Sequence, residues 1–148
     1  MSVSRYNSAS DGRSVDIAYG NKKASTAIAL NELLTLDTNG QLIPAISTSK
    51  FVVGVSLSTV LATDENYATT DEIQYDAARD GDLFIMSVND AATVGFVAGV
   101  ERAIVNSGQI KGAAAGAGEG RLVRVKKVLT DDALAVVELI TNADSENV

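Results

Sequence analysis

Neither cysteine nor histidine occurs anywhere in the chain. Without cysteine there are no disulfides, no thiolate nucleophile and none of the common Cys-rich zinc sites. Without histidine, the side chain most used for acid–base work is missing, and the triads built on imidazole cannot form. Tryptophan is also absent, aromatics make up only 5%, and the one proline is Pro44. A core must then be made of Val, Ile, Leu and Ala. Positive charge is scarce as well: 12 Lys and Arg stand against 19 Asp and Glu, a net charge of −7. That balance disfavours duplex DNA, whose phosphates demand clustered cations. No apolar run reaches the roughly 18 residues of a membrane span. The opening MSVSRYNSASDGRS lacks the apolar stretch of a secretion signal. The expectation is a protein made in the cytoplasm that reaches the outside, if at all, by a route such as lysis.

What the chain does have is apolar content, 46% over 148 residues. That suits one ordinary domain with a real core. Residues 1–14 hold five serines, two arginines and little to bury, so they read as a flexible N-terminal arm. Residues 15–141 read as a single β-rich domain, and residues 142–148 as a frayed end. Within the domain, Val15, Ile17 and Tyr19 alternate against Asp16 and Ala18, the period of a strand. Residues 24–36 stay open between helix and strand. Asn39-Gly40 between apolar runs marks a hairpin of 32–36 with 41–43, because both turn residues tolerate positive φ. The stretch 51–60 alternates too, with Phe51, Val53, Val55 and Leu57 on one face and Val52, Gly54, Ser56 and Ser58 on the other. Further strands are expected at 73–75, 83–88, 121–129 and 134–140, with turns at 79–82 and 130–132. Residues 94–105 remain unassigned, and the tract 112–120 (GAAAGAGEG) reads as a flexible loop. Many short strands between turn signals predict an all-β fold, a small barrel or sandwich of short antiparallel strands. There is room for one short helix.

Two stretches also align without a gap at an offset of 68 residues. Asn39-Gly40-Gln41-Leu42 falls on Ser107-Gly108-Gln109-Ile110, and Ala45 falls on Ala113. Val55, Val60 and Leu61 fall on Val123, Val128 and Leu129, and Ile28 falls on Phe96. The alternatives are a structural repeat, or two long-looped hairpins that look alike because hairpins do.

Motifs with chemistry are few. Asp37-Thr38-Asn39-Gly40 opens like a calcium loop, but Leu42 and Thr48 stand where an EF-hand needs Gly and Glu. Asp64-Glu65, Asp71-Glu72, Asp80-Gly81-Asp82 and Asp131-Asp132 are neighbouring carboxylates. Neighbours on a strand point to opposite faces, so such pairs do not span a catalytic cleft. The glycines of 112–120 lack the Gly-Lys-Ser/Thr ending of a phosphate loop. Arg121, Arg124, Lys126 and Lys127 form the only dense basic run. Arg124 and Lys126 are expected on one face, opposite Val123 and Val125, as a solvated surface or a seat for an acidic partner. These features predict no enzyme, no cofactor and no metal.

Glu32-Leu33-Leu34-Thr35-Leu36, then Asn39-Gly40-Gln41-Leu42-Ile43-Pro44-Ala45, then Phe51-Val52-Val53-Gly54-Val55-Ser56 set a rhythm. Gly81-Asp82-Leu83-Phe84-Ile85 and Ser107-Gly108-Gln109-Ile110-Lys111 continue it, and a last β-pair holding Val123, Val125, Val136 and Val137 closes it. Over residues 24 to 140 this order resembles the small capsid decoration (cement) proteins of tailed bacteriophages. The resemblance implies a structural virion protein on the capsid exterior that binds the major capsid protein and stabilises the mature shell. It implies a homo-oligomer, with a trimer favoured, and no nucleic-acid or membrane partner. The arm is similar to those that dock on a shell, so Val3, Arg5, Tyr6 and Arg13 are the expected capsid contacts. Alternatives are another virion part, such as a tail-tube or head–tail joining protein, or a glycan-binding β-module. The lack of tryptophan counts against the glycan module.

Overall fold

A computed structural model of the chain describes residues 3–5, 15–79, 81–90, 93–129 and 133–142. The described residues form twelve strands and no helix, so the all-β expectation holds and residues 24–36 are not helical. The strands are β1 (Ser4–Arg5), β2 (Ile17–Asn21), β3 (Leu33–Leu36), β4 (Leu42–Pro44), β5 (Gly54–Ser56) and β6 (Glu72–Ala77). They continue with β7 (Leu83–Val88), β8 (Glu101–Arg102), β9 (Ile104–Asn106), β10 (Gln109–Ile110), β11 (Val123–Leu129) and β12 (Leu134–Leu139).

Five strands form one sheet in the order β2-β6-β5-β3-β4, every pair antiparallel. Its two ends then meet. Lys22 bridges Leu42 in parallel, and the Lys23 amide donates to the Leu42 carbonyl at 3.0 Å. The sheet thereby closes at one end into a barrel-like unit, barrel 1, with β2 unpaired on that side before Lys22 among the described residues. The second sheet runs β8-β11-β12-β7-β10-β9, with β1 attached to β7. Because β8 and β9 are consecutive on either side of Ala103, this path also returns on itself and makes barrel 2. Closure again uses a parallel pair, with Ser87 opposite Gln109 and Val88 opposite Ile110. Where the ends are bonded, closure removes the exposed edges that invite wrong pairing.

The two barrels are one plan built twice. β2, β6, β5, β3 and β4 correspond to β7, β12, β11, the β8–β9 run and β10. The parallel closure bond from Lys23 to Leu42 reappears from the Asn89 amide to the Ile110 carbonyl, at 3.0 Å in both. The bond from Val53 to the Leu34 carbonyl reappears from Leu122 to Arg102, and that from Ala78 to Val53 reappears from Ile140 to Leu122. The hairpin pair Leu36 and Leu42 becomes Ile104 and Ile110. Asn31 and Gly99, also equivalent, both hold positive φ, 62° and 99°. The offset of 68 visible in the sequence is therefore structural from Asn31 to Leu42, and by β5 it has grown to 69, with Gly54 equivalent to Val123, so the ungapped match of Val55 with Val123 does not hold. The equivalence reaches past the stretches that align by residue, to β2 with β7 and β6 with β12.

Two apolar cores follow. Ile28, Leu34, Leu42, Val60 and Ile73 fill barrel 1. A larger cluster holds Phe84, Met86, Ile104, Ile110, Val123, Val125 and Val137 of barrel 2 together with Leu33, Ala45, Val52 and Val55 of barrel 1. β5 lies between the two, which corrects the simple alternation expected for 51–60. Only 54–56 is regular strand, and Gly54, Val55 and Ser56 are all buried. The Ser56 hydroxyl donates to the Ser58 carbonyl at 2.8 Å, so its polarity is satisfied locally. Backbone bonds also cross between the barrels, from Leu33 to Ser107, Val52 to Ile140 and Gly120 to Ser47. A Cβ on Gly120 would collide with the Ser49 carbonyl, so this approach requires glycine.

The N-terminal residues differ from the expectation of a loose arm. Val3 is completely buried in the large core, and its amide donates to the Asn31 carbonyl at 2.8 Å. Ser4 and Arg5 pair antiparallel with Ile85 and Phe84. The expected shell contact at Val3 is therefore corrected: its apolar surface is already used inside the chain's own core. Tyr6 and Arg13 lie outside the described residues, as do the turn at 130–132 and residues 143–148.

Candidate functional site

β11 and β12 build the basic site. Arg124 stands directly across from Glu101 on β8 and from Glu138 on β12. Its guanidinium donates to both carboxylates, at 2.7 Å each. Such cross-strand pairs stiffen a sheet more than they advertise charge. The hydrogen bond to Glu101 and the nearby carboxylates raise the Arg124 pKa against a smaller opposing effect of burial, so this arginine is a fixed cation. The sequence placed Arg124 on an outward face and that is where it lies, but nothing in the sequence disclosed its two partners on other strands.

Beyond Val125 the ladder slips. Val125 faces Val137 while Lys127 faces Val136, so Lys126 is an extra residue in β11. A bulge of this kind leaves a residue unpaired and re-aims its neighbours. Lys126 and Lys127 are both exposed as a result, where strict alternation would have turned Lys127 inward. Neither pairs with a described carboxylate. The bulge thus presents two adjacent ammonium groups in a chain whose net charge is −7.

Beside Arg124, an open depression of about 540 Å³ is lined by Gly99, Val100, Glu101, Arg102, Ala114, Ala115, Arg121 and Arg124. Arg102 forms its floor. The side chain is buried and donates to the carbonyls of Gly112 (3.1 Å), Glu101 (3.1 Å) and Gly95 (3.0 Å). It holds the loops on either side in place, and its charge is taken up by carbonyl dipoles. The wall carrying Ala114 and Ala115 belongs to the glycine-rich tract, which the sequence reads as a mobile loop. Here that tract is tied: Glu119 accepts from the Lys111 ammonium and the Gly116 amide, at 2.6 Å each. These two bonds and the Lys111 charge hold the Glu119 carboxyl below its ordinary value near 4.5.

Sequence reasoning missed Arg102 and Lys22. Lys22 is fully buried at the mouth of barrel 1 and donates to the carbonyls of Tyr67 and Thr69, at 2.7 Å each, and of Lys23 at 3.3 Å. Neither carries a local signal. The repeat itself would have flagged Arg102, which occupies the position of the core residue Leu34.

No group of three or more carboxylates among the described residues could hold a metal ion. The lysines and arginines of this face suit the capture of carboxylates. Compared with protein-family models and with curated proteins, the chain matches none.

Proposed function

We propose that this protein is a non-catalytic structural component of a virion, bound to the outside of a tailed-phage capsid and stabilising the mature shell. The observation that carries the reading is the bulge at Lys126. It turns two lysines that pair with no described carboxylate outward, next to a depression lined by three arginines and Glu101, in a chain of net charge −7. A surface of this kind fits acidic side chains of the major capsid protein. With Val3 committed to the chain's own core, the folded face replaces the arm as the principal contact. Binding only the mature lattice would shift the shell toward that form by mass action. The resemblance favours a trimer, and repeated weak contacts on one lattice would add through effective concentration.

The test is co-sedimentation of the wild-type chain and a Lys126→Glu/Lys127→Glu variant with expanded shells, over a range of salt. Exposed ion pairs are individually weak and screened by salt. The variant should lose binding several-fold at low salt, and the difference should shrink at high salt. Equal binding by both proteins at low salt would sink this contact. Failure of the wild-type chain to bind any shell would sink the reading.

A further inference from the structure

The repeat exposes one position that is filled in barrel 2 and open in barrel 1. On β7, the side away from β12 carries β1, with Ser4 opposite Ile85 and Arg5 opposite Phe84. The corresponding residues of β2 are Tyr19 and Ala18. No described strand pairs with that side of β2 before the bridge at Lys22.

Backbone direction makes this a real edge. The Asp16 carbonyl accepts from Ala77, and the Lys22 amide donates to Asp71, so even-numbered residues address β6; Lys23 addresses Leu42 on β4. Alternation along the strand then aims the amides and carbonyls of Ile17 and Tyr19 at the open side. On β7 the same parity holds. Val88 bonds toward the β12 side and Asn89 toward β10, which aims Ile85 at β1. The open edge is also apolar. Val15, Ile17 and Tyr19 are 50%, 55% and 57% exposed on one face. A strand edge with an apolar face invites pairing unless it is blocked.

We infer that the β2 edge is a strand acceptor, which takes an extended segment of another polypeptide in antiparallel pairing against residues 17–19. The occupant's chemistry is given by the strand already seated on the equivalent edge: an aliphatic residue followed by polar ones, as in Val3-Ser4-Arg5. Among the described residues, the strand that fills the equivalent edge is β1, and it is already seated on β7, so the occupant of β2 is drawn from another polypeptide. Area points to a strand rather than a docked second copy. Three half-exposed side chains fall well short of the roughly 800 Å² per partner of a stable interface. An added strand gains backbone hydrogen bonds as well. The inference does not depend on the shell reading, and its test uses no shell.

The probe is a synthetic peptide of residues 1–7, MSVSRYN, added to the full-length chain beside a scrambled control, with amide exchange followed by NMR. In the free chain, the Ala18 and Gly20 amides should be protected while those of Ile17 and Tyr19 exchange fast. With peptide near 1 mM, a weak-binding regime, exchange at Ile17 and Tyr19 should slow about tenfold, a shift of about 1.4 kcal/mol. An Ile17→Thr/Tyr19→Thr variant keeps strand propensity, and should fold normally and lose the response. Protection of Ile17 and Tyr19 before peptide is added would mean that the chain fills its own edge, and would overturn the inference. So would no response to the peptide, a response centred on Phe84 and Ile85, or an undiminished response in the double variant.

Discussion

Barrel 1 and barrel 2 follow the same path but are filled differently. Where β7 sends Phe84 and Met86 into a core, β2 places Ala18 and Gly20. A Cβ at Gly20 would press on the Leu42 side chain, so the small residues of β2 leave the space that Leu42 fills. Where barrel 1 has Leu34 inside, barrel 2 has Arg102. Where barrel 2 closes on Val88, barrel 1 closes on Lys22. Each barrel thus contains one buried cation at a non-equivalent position, and in both cases it binds loop carbonyls at the barrel end. Loops that cover a small barrel bring carbonyls together with too few amides to meet them. A buried polar group left unpaired costs free energy, and a long cationic side chain threaded through the barrel supplies several donors at once. The lesson is that the repeat preserved the backbone plan while each copy solved its end-cap separately.

β5 is where the two copies are joined, and substitutions there should do the most damage. Val55→Asp buries a charge in the large core, and Ser56→Asp does the same on the opposite face. Both should cost about 4 kcal/mol or more and remove the folded baseline in urea denaturation. A mild Ser56→Asp would mean that barrel 1 opens locally without disturbing its neighbour, and the view of β5 as a shared wall would fail.

The end-caps come next. Lys22→Met leaves the Thr69 carbonyl without its donor and the Tyr67 carbonyl with the Ser25 amide alone, and Arg102→Met removes the side-chain donor to Gly95 and Gly112. Each should cost about 2–3 kcal/mol by the usual penalty for unpaired buried groups, measured by urea denaturation. Exchange should accelerate around 61–71 in the first variant and around 93–100 and 112–116 in the second. If either variant loosened the other barrel's loops equally, the caps would not be local devices.

The sequence made the β class legible, because the alternation at 15–19, the short apolar runs at 83–88 and 134–140 and the Asn39-Gly40 turn are local properties. It made part of the repeat legible as well, through Leu42 with Ile110, but its ungapped alignment of Val55 with Val123 is one residue out of register, because Val55 is equivalent to Arg124. The rest was hidden because β2 with β7 and β6 with β12 keep strand register without keeping residues. Closure of the barrels was invisible, since the parallel pairs at Leu42 and Ile110 join segments distant in the chain. Val3 misled for a related reason: a short apolar residue among serines gives no sign of a cavity prepared for it by strands far along the chain. At the candidate site the basic run was plain, but the bulge that exposes Lys127 depends on the register of β12. The pairing of Arg124 with Glu101 and Glu138 depends on three strands meeting.

The smallest effect separates the barrels by pH. Between β4 and β5, the Ile46 amide donates to the Ser49 hydroxyl and the Ser49 amide to the Ile46 carbonyl. Between β10 and β11 the same turn recurs, from the Gly116 amide to the Glu119 carboxylate and from the Glu119 amide to the Gly116 carbonyl. One copy is capped by a group that does not titrate, the other by one that does. Glu119 is held below its ordinary value by the Lys111 hydrogen bond first and the Gly116 amide second. A carboxylate depressed in the folded state stabilises that state fully above its unfolded pKa, and the contribution fades as pH falls through the folded value. The loss should therefore begin near 4.5 and be complete only below it. The pair is solvent-screened, so the effect should be confined to the loop, with no shift of the global transition. Between about pH 6 and pH 3, after correction for intrinsic exchange, the Gly116 amide should lose protection while the Ile46 amide keeps it. Glu119→Gln retains an acceptor for Gly116 without a titrating charge, so its Gly116 amide should be flat across the same range. Parallel loss at Ile46 and Gly116 would mean that acid loosens both loops through some other carboxylate, and the distinction between the two turns would fall.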